Sequence, residues 1–564
     1  MDNSRNMPTR AQVSRSSIQR LYIAMRHLFI RGMYKPLGIS GEAMIHSMLE
    51  LKPEIYGSIA DPEKVELTGL LYIFQRLPLG VEQCRFIKLI GKEGFENAFT
   101  PIIPSKRRRN CFKIDEEQMY IEMSRGRSDI YDVLTHITFM CIESEKIRRN
   151  ALDGKDRKTR AWNMLEETIE KIKNGEEFNE DVGYTYLSTL LGRTYNETMD
   201  ACRKFAKADK VSSLFEITYW LGKLSIDEHL EDIDREVSFS SSLREKLGHH
   251  IYGEIWASDI KRFLIEKNLH NRPIHIVSSN MHSVLNSIYA ADALKKNVKT
   301  DNLEEIAEYL SNDKNAKQRD KVLKHAEKHG LFFIKDSSGT NINVQIIDLA
   351  QVDLATLPKE IHTASATSSD VIIVMDYAFG EQAYETMDEL LKPLDHGEDR
   401  IHFDIRSVNV MGKAGILTGV KGDIMIPTAH VFEGSADNYP FNNDLEKVDF
   451  TDDEVTTYIG PMITVLGTSL QNKDILRYFM KSSWGVIGLE MEGAHYQKAI
   501  QSASKIRKSV NSDIVLRYAY YASDNPLETG STLASGSLGL DGVKPTYMIT
   551  SRILSGILSQ QSTA

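Results

Sequence analysis

The chain has 564 residues, 41% hydrophobic and 26% charged, with a formal net charge of -10. This length is too great for one ordinary core, and the net negative charge argues against a general nucleic-acid binder, which needs clustered lysine and arginine. No apolar stretch approaches the length of a membrane span, and the cysteines show neither a disulfide framework nor zinc-ligand spacing. We expect a cytoplasmic protein with a small-molecule substrate, no cofactor, no metal and no membrane or nucleic-acid partner.

The first half of the chain has mostly helical spacing of its apolar residues. Residues 130–147 and 185–205 are examples, and alternating runs typical of strands are scarce up to residue 268. We therefore predict an α-helical domain over residues 1–250. Because it shows no convergent catalytic groups, we expect it to serve assembly or regulation.

The pattern changes after Arg272. Short apolar runs are followed by small or polar loops and then by helical segments, which predicts an α/β domain over residues 251–564. The candidate strands are residues 274–277, 342–347, 371–375, 405–410, 424–426, 463–466, 485–489 and 514–521.

Polar or glycine-rich segments follow several of these strands, where α/β sheets bind ligands. The candidate functional residues there are Asn280, His282, Gly380, Gly412, Lys413, Ala414, Gly415, Ser523 and Asp524. Residues 412–415 are predicted to form a loop whose backbone N–H groups approach an anion, with the charge of Lys413 beside it. Taken alone, a Gly-x-x-Gly segment after a strand is more often only a turn.

The surrounding sequence is more specific. The segment Asn-Val-Met-Gly-Lys-Ala-Gly-Ile-Leu at 409–417, followed by Lys-Gly-Asp-Ile-Met-Ile-Pro at 421–427, resembles the central motif of the nucleoside phosphorylase/nucleosidase superfamily. Residues 432–439 are similar to the segment that follows this motif in short bacterial AMP nucleosidases. The resemblance implies a mixed sheet flanked by helices, a purine nucleoside or nucleotide as substrate, and a homo-oligomer.

Met491 and Glu492 resemble the Met-Glu signature of that superfamily, which implies that Glu492 binds the ribose 2′ and 3′ hydroxyls. The position supports this role, because a helix start favours an ionised carboxylate and an ionised carboxylate can accept two hydroxyl hydrogen bonds. The alternative is that Glu492 only caps its helix.

Ser523 and Asp524 resemble the Ser-Asp pair of the superfamily, in which the aspartate handles the purine N7 proton. A purine anion is a poor leaving group, so protonation in the transition state lowers the barrier to bond cleavage. Asp524 is therefore the predicted general acid. Ser-Asp also occurs as an ordinary helix cap.

The sequence departs from the superfamily pattern at two places. Related nucleosidases often carry a glutamate after the first strand, whereas this chain offers Asn280, His282 and Ser283, so His282 is either a base or a structural histidine. Phosphorylases often supply an arginine after the Ser-Asp pair, but only Lys544 and Arg552 are basic there. Hydrolysis is favoured; phosphorolysis with inorganic phosphate and a non-catalytic nucleotide sensor remain the alternatives.

Overall fold

The computed structural model divides the chain into two compact units. The first comprises the residues up to His249 together with Ser469–Ile475, and the second comprises His250–Thr468 and the residues from Leu476 onward. The residues described are 9–298, 300–397, 399–435, 437–528 and 539–559. No helix among them is long and apolar enough to cross a membrane.

The first unit contains nine α-helices and five strands within its described residues. The helices are α1 (Arg10–Arg31), α2 (Ile39–Leu51), α3 (Leu67–Phe74), α4 (Gly126–Ala151), α5 (Arg160–Asn174), α6 (Glu180–Leu191), α7 (Tyr195–Ala206), α8 (Leu214–Glu231) and α9 (Ser241–Gly248). The strands are β1 (Met33–Tyr34), β2 (Phe86–Ile90), β3 (Cys111–Lys113), β4 (Gln118–Glu122) and β5 (Glu236–Phe239).

These strands correct the prediction of an all-helical domain over residues 1–250. They form one sheet in the order β1-β5-β2-β4-β3, in which β2 lies parallel to both β4 and β5. Each strand has only two to five residues, too few for a clear alternation of apolar and polar side chains. Pairing with strands distant in sequence, which local spacing does not reveal, makes these segments extended.

The second unit is built around a larger sheet. Its helices are α10 (Ile251–Glu266), α11 (Met281–Leu294), α12 (Leu303–Ser311), α13 (Ala316–Glu327), α14 (Gln382–Leu390), α16 (Gly493–Gln501) and α17 (Val543–Leu558), whereas α15 (Lys473–Lys481) contains the unit boundary. A π-helical turn (Ser502–Arg507) continues α16. The strands are β6 (Ile274–Ser278), β7 (Leu331–Ile334), β8 (Val344–Asp348), β9 (Val371–Met375), β10 (Leu394–His396), β11 (Asp399–Ile401), β12 (Ile405–Ile416), β13 (Ile424–Phe432), β14 (Asn438–Pro440), β15 (Thr457–Thr464), β16 (Gly488–Glu490) and β17 (Val515–Asp524).

Helices cover both faces of this mixed sheet. Successive residues of β6 point to opposite faces, and Ile276 packs in one core with Trp256 of α10 and Met387 of α14. Val277 packs in a second core with residues that include Ile553 of α17. The second unit is therefore a three-layer α/β structure.

Part of the sheet closes on itself. The strands follow the order β14-β13-β15-β16-β12-β6-β9-β8-β7, and β17 pairs with both β12 and β13. β12 pairs with β17, β17 with β13, β13 with β15, and β15 with β16. β16 in turn pairs with β12. The five strands form a small barrel, and β6 continues the open sheet from β12.

The predicted loop at residues 412–415 is instead part of a strand. β12 continues to Ile416 because β17 pairs with it in parallel along almost its whole length. On its other edge, β12 pairs with β6 only up to Val410 and with β16 only from Gly415. Within the described residues, positions 411–414 therefore have no strand partner on that edge. We call this interval the β12 opening.

Candidate active site

The ends of several strands surround the β12 opening. β6 ends at Ser278, which pairs with Val410, and β9 is parallel to β6 and ends at the same level, with Met375 opposite Ser278. The segment after β16 approaches the opening from the other side, because β16 is antiparallel to β12. Unpaired backbone groups on a strand edge can bind a ligand, so the opening is a natural place for one.

Gly415 relates the two predicted carboxylates to each other. It pairs with Leu489 of β16 on one edge and with Asp524 of β17 on the other. Neighbouring strands lie about 4.8 Å apart, so the Cα atoms of Leu489 and Asp524 are about 10 Å apart across β12. Glu492 follows Leu489 by three residues. The segments that carry the two carboxylates therefore flank β12 at Gly415.

Glu490, and not Glu492, caps helix α16. Its carboxylate is fully buried and accepts the backbone N–H groups of Glu492, at 2.5 Å, and of Gly493. The Thr464 hydroxyl donates to the same carboxylate and accepts the N–H of Ala494 at 3.0 Å. These bonds satisfy the first backbone donors of α16. The pKa of Glu490 is below its ordinary value: burial raises it, and the contacts with His430, Thr464 and Gly493 outweigh that effect.

The side chain of Glu492 extends away from its own helix. Its Oε1 accepts the backbone N–H of Gly380 at 2.9 Å, in the segment that follows β9. Gly380 has φ 56°, a left-handed conformation that favours glycine. Gly380 therefore contacts Glu492 through its backbone and orients this carboxylate. Met491, between the two glutamates, is buried.

Asp524 has a different environment. Its Oδ1 accepts the Ser523 hydroxyl at 2.6 Å, and Ser523 Oγ also lies 3.1 Å from the carbonyl of Ala414. Asp524 Oδ2 is buried and meets no hydrogen-bond partner among the residues that the structure describes. Burial raises the pKa of Asp524 above its ordinary value, and the Ser523 hydrogen bond and the charge of Lys413 only partly oppose this effect. The protonated carboxyl is therefore accessible.

Lys413 is exposed on β12, and its positive charge acts on Asp524. Its neighbour Gly412 is bordered by aromatic rings: a Cβ there would lie 3.5 Å from the Tyr377 ring and 3.9 Å from the Tyr520 ring. Residues 412–415 thus contribute a strand edge and one cation, in place of the predicted anion-binding loop.

The segment after β6 begins helix α11. Asn280 is its N-cap, and the side-chain oxygen of Asn280 accepts the N–H of Ser283 at 2.7 Å. His282 is open to solvent, yet surrounding protein desolvates it enough to lower its pKa below the ordinary value. The charge of Asp376, just after β9, opposes this effect. His282 is therefore mostly neutral at neutral pH and lies within electrostatic reach of a carboxylate.

Sequence reasoning did not select two of the residues in this arrangement. Glu490 precedes Glu492 by two positions, and the Glu-Met-Glu sequence alone does not show which glutamate caps the helix. Asp376 directly follows the predicted strand at 371–375, and this position marks its segment as a candidate without giving Asp376 a role.

Comparison with known proteins gives one family match. A model described as "Family of unknown function (DUF6909)" matches residues 42–300 and 303–559. No curated protein matches the chain. Among solved structures, futalosine hydrolase of Helicobacter pylori strain 26695 is 12% identical, over 51% of this chain and 97% of that chain, with a TM-score of 0.30. Uridine phosphorylase from Schistosoma mansoni in complex with thymine is 11% identical, over 52% and 91%, with the same TM-score. Because the identities are 11–12% and the TM-score is 0.30, we derive the fold and the chemistry from this chain's own residues.

Proposed function

The chain belongs to DUF6909, a family of unknown function, and we propose that it hydrolyses the N-glycosidic bond of a purine nucleoside or nucleotide. The observation that supports the proposal is that the segments carrying Glu492 and Asp524 flank opposite edges of β12 at Gly415, at the end of the β12 opening. The Met-Gly-Lys-Ala-Gly, Glu-Met-Glu and Ser-Asp motifs support it, because together they resemble the nucleoside phosphorylase/nucleosidase superfamily.

Glu492 is assigned to the sugar. Glu490 and Thr464 already hold the start of α16, so Glu492 is not needed as a helix cap. Its carboxylate, oriented by the Gly380 N–H, can accept hydrogen bonds from the ribose 2′ and 3′ hydroxyls. Negative charge here also stabilises the positive charge that develops on the sugar as the bond to the base breaks.

Asp524 is assigned to the base. Its Oδ1 is engaged by Ser523, so Oδ2 is the atom available to carry a proton. When the bond between C1′ and the base nitrogen breaks, its electron pair goes to the purine, and the Oδ2 proton is transferred to N7. The purine then leaves as a neutral molecule.

His282 is assigned to the attacking water. A neutral imidazole can take a proton, and its lowered pKa keeps the ring in that form. Water adds its oxygen to C1′ and loses one proton to His282, while Asp376 stabilises the resulting imidazolium. This assignment favours hydrolysis over phosphorolysis.

Lys413 is assigned to the anion of a phosphorylated substrate. It is exposed beside the β12 opening, with Gly412 and Ala414 as neighbours on the strand. In an AMP nucleosidase-like reaction, Lys413 would bind the 5′-phosphate of the substrate. In a phosphorylase the same charge would hold inorganic phosphate.

The first unit is proposed to serve assembly or regulation, in a homo-oligomer of the full chain. Sedimentation velocity tests the oligomer directly: a species of two or more chains is expected at micromolar concentration. A single-chain species across that range would remove this part of the proposal.

A panel of nucleosides and nucleotides, scored for free base with and without inorganic phosphate, tests the proposed activity. We expect base release from a purine substrate in phosphate-free buffer. A strict requirement for phosphate would assign phosphorolysis instead. Tight nucleotide binding with no base release from any member would assign a sensor.

A further inference from the structure

A cavity of about 690 Å³ lies in the second unit, apart from the candidate active site. Its walls come from the residues after β14, from α16 and its π-helical turn, and from the start of β17. We call it the α16 cavity. β17 begins at this cavity and ends at Asp524, so its ten residues span roughly 30 Å between the two places. Small-molecule pockets are typically about 300–1,000 Å³, so the cavity is large enough for a nucleoside.

The lining of the α16 cavity combines apolar surface with amide groups. Phe441, Ile500 and Leu516 supply the apolar part, and Gln497 and Gln501 supply side-chain amides. An aromatic face and amides that both donate and accept hydrogen bonds suit a planar nitrogen heterocycle.

The charged residues of the lining indicate whether the cavity favours a neutral or a phosphorylated ligand. Lys505 is the cation of this lining, and the lining also includes the carboxylates of Asp444 and Asp513. Asp444 is paired with Arg517 at 2.6 Å, which leaves Lys505 balanced by Asp513. The cavity therefore has no excess positive charge with which to select a phosphate.

A continuous set of contacts joins the cavity to Glu492. The Phe441 ring stacks on the fully buried His430 ring, with centroids 5.4 Å apart and planes 9° from parallel. His430 Nδ1 lies 3.4 Å from Glu490 Oε1, and the other oxygen of Glu490 holds the N–H of Glu492. His430 packs closely against the start of α16, because a Cβ at Gly493 would lie 2.2 Å from His430 Nδ1.

A second set of contacts starts from Gln497. This residue lines the cavity from α16, the helix that begins directly after Glu492. Its side-chain oxygen accepts the Tyr518 hydroxyl at 3.1 Å, and Tyr518 lies on β17, the strand that ends at Asp524. Both candidate catalytic carboxylates thus stand at the far ends of elements that line the cavity.

We propose that the α16 cavity is an effector site for a neutral purine-class heterocycle, a free base or nucleoside, and that its occupancy changes turnover through Phe441, His430 and Glu490. The binding part stands on the cavity alone, whereas the coupling part rests on the proposed function. Coupling requires the ligand to favour one arrangement of these contacts over another.

Binding stoichiometry with neutral bases tests the site. Adenine, hypoxanthine, guanine and uracil are titrated into the full-length protein by calorimetry, and we expect a purine base to bind twice per chain. Gln501→Trp fills the cavity and should leave one equivalent. Lys498→Trp, on the same helix but outside the lining, should keep two. A binding equivalent that is present in the unaltered protein and in Lys498→Trp but missing in Gln501→Trp supports the site, whether or not the active site contributes another equivalent. A stoichiometry that Gln501→Trp leaves unchanged would overturn the site.

Two further readouts test the ligand class and the coupling. Adenosine 5′-monophosphate should bind once per chain. If it binds twice, and Gln501→Trp removes one of the two equivalents, the cavity takes a phosphorylated ligand and the proposal of a neutral ligand is wrong. The base should change kcat by about fivefold or more in the unaltered enzyme and in Lys498→Trp, and should act only through KM in Gln501→Trp. An unchanged kcat in the unaltered enzyme would overturn the coupling. If no nucleoside is cleaved, the proposed function fails, while the stoichiometry still decides the site.

Discussion

The segments that carry Glu492 and Asp524 flank the same strand, but they place their carboxylates in opposite surroundings. Glu492 Oε1 accepts the backbone N–H of Gly380. The helix that follows Glu492 is capped by a different residue, Glu490. Asp524 is buried, with one oxygen bonded to Ser523 and the other without a partner among the described residues. The two carboxylates therefore differ in the hydrogen-bond donors that surround them.

We propose that this difference gives two otherwise similar side chains different roles. Donated hydrogen bonds favour a carboxylate, whereas burial without them favours the protonated acid. Two titratable groups whose surroundings separate their protonation states can serve as stabilising anion and as acid in one reaction. The predictions below test this division of roles, from the largest expected effect to the smallest.

Asp524→Asn should have the largest effect. Asparagine preserves the size of the side chain and removes the proton donor, so kcat for a purine substrate should fall by about 100-fold or more. Nucleoside affinity should stay nearly unchanged, because the proposed ribose contacts are assigned to Glu492. Steady-state kinetics with calorimetric binding measures both quantities. Turnover at the unaltered rate would reject Asp524 as the acid.

Glu492→Gln should lower kcat/KM for ribonucleosides by about 10- to 100-fold, because a charge-assisted hydrogen bond contributes about 1.5–3 kcal/mol. The loss should be smaller for 2′-deoxyribonucleosides, which lack one of the hydroxyls assigned to this carboxylate. The ratio of kcat/KM for ribose and deoxyribose substrates is the measurement. Equal losses on both would mean that Glu492 does not bind the 2′ hydroxyl.

The sequence predicts a short buried strand better than a strand whose length depends on a distant partner. The predicted strand at 371–375 coincides with β9, since its five buried apolar residues need no distant information. The sequence predicts a loop at residues 412–415, because a Gly-x-x-Gly segment follows a predicted strand there. Their extended conformation depends on β17, about a hundred residues further along the chain.

The same limit applies to the candidate site. Glu490 and Glu492 are identical side chains two positions apart, and only the buried Thr464 and His430 make Glu490 the cap. The motifs indicated which segments meet, and the structure shows which atom of each residue is already engaged.

Lys413→Ala should have a small and selective effect. The side chain is exposed, so loss of its charge should weaken nucleotide binding by only about two- to fivefold. Binding of the unphosphorylated nucleoside should not change. Parallel titrations of both ligands measure the contrast, with Lys421→Ala as the control for loss of an exposed cation on another segment. Equal weakening of both ligands would remove Lys413 from the phosphate site.

The smallest expected effect is on stability. The pKa of Asp524 is raised in the folded protein, so the folded state holds this proton more tightly than the unfolded state. The contribution of the protonated group is fully present at low pH and is lost as the pH rises through the raised pKa. Relative to the unaltered protein, Asp524→Asn should therefore become more stable as the pH rises. Urea unfolding across this range measures it; a difference that does not vary with pH would contradict the raised pKa.

The most direct test of the account is a single-turnover reaction with the protein in excess over adenosine 5′-monophosphate, in phosphate-free buffer. Chromatography of the quenched mixture resolves nucleotide, free base and sugar phosphate. We expect equimolar adenine and ribose 5-phosphate, and in Asp524→Asn the same products should appear at least about 100-fold more slowly. Complete recovery of intact nucleotide, with adenosine and inosine equally uncleaved, would contradict it.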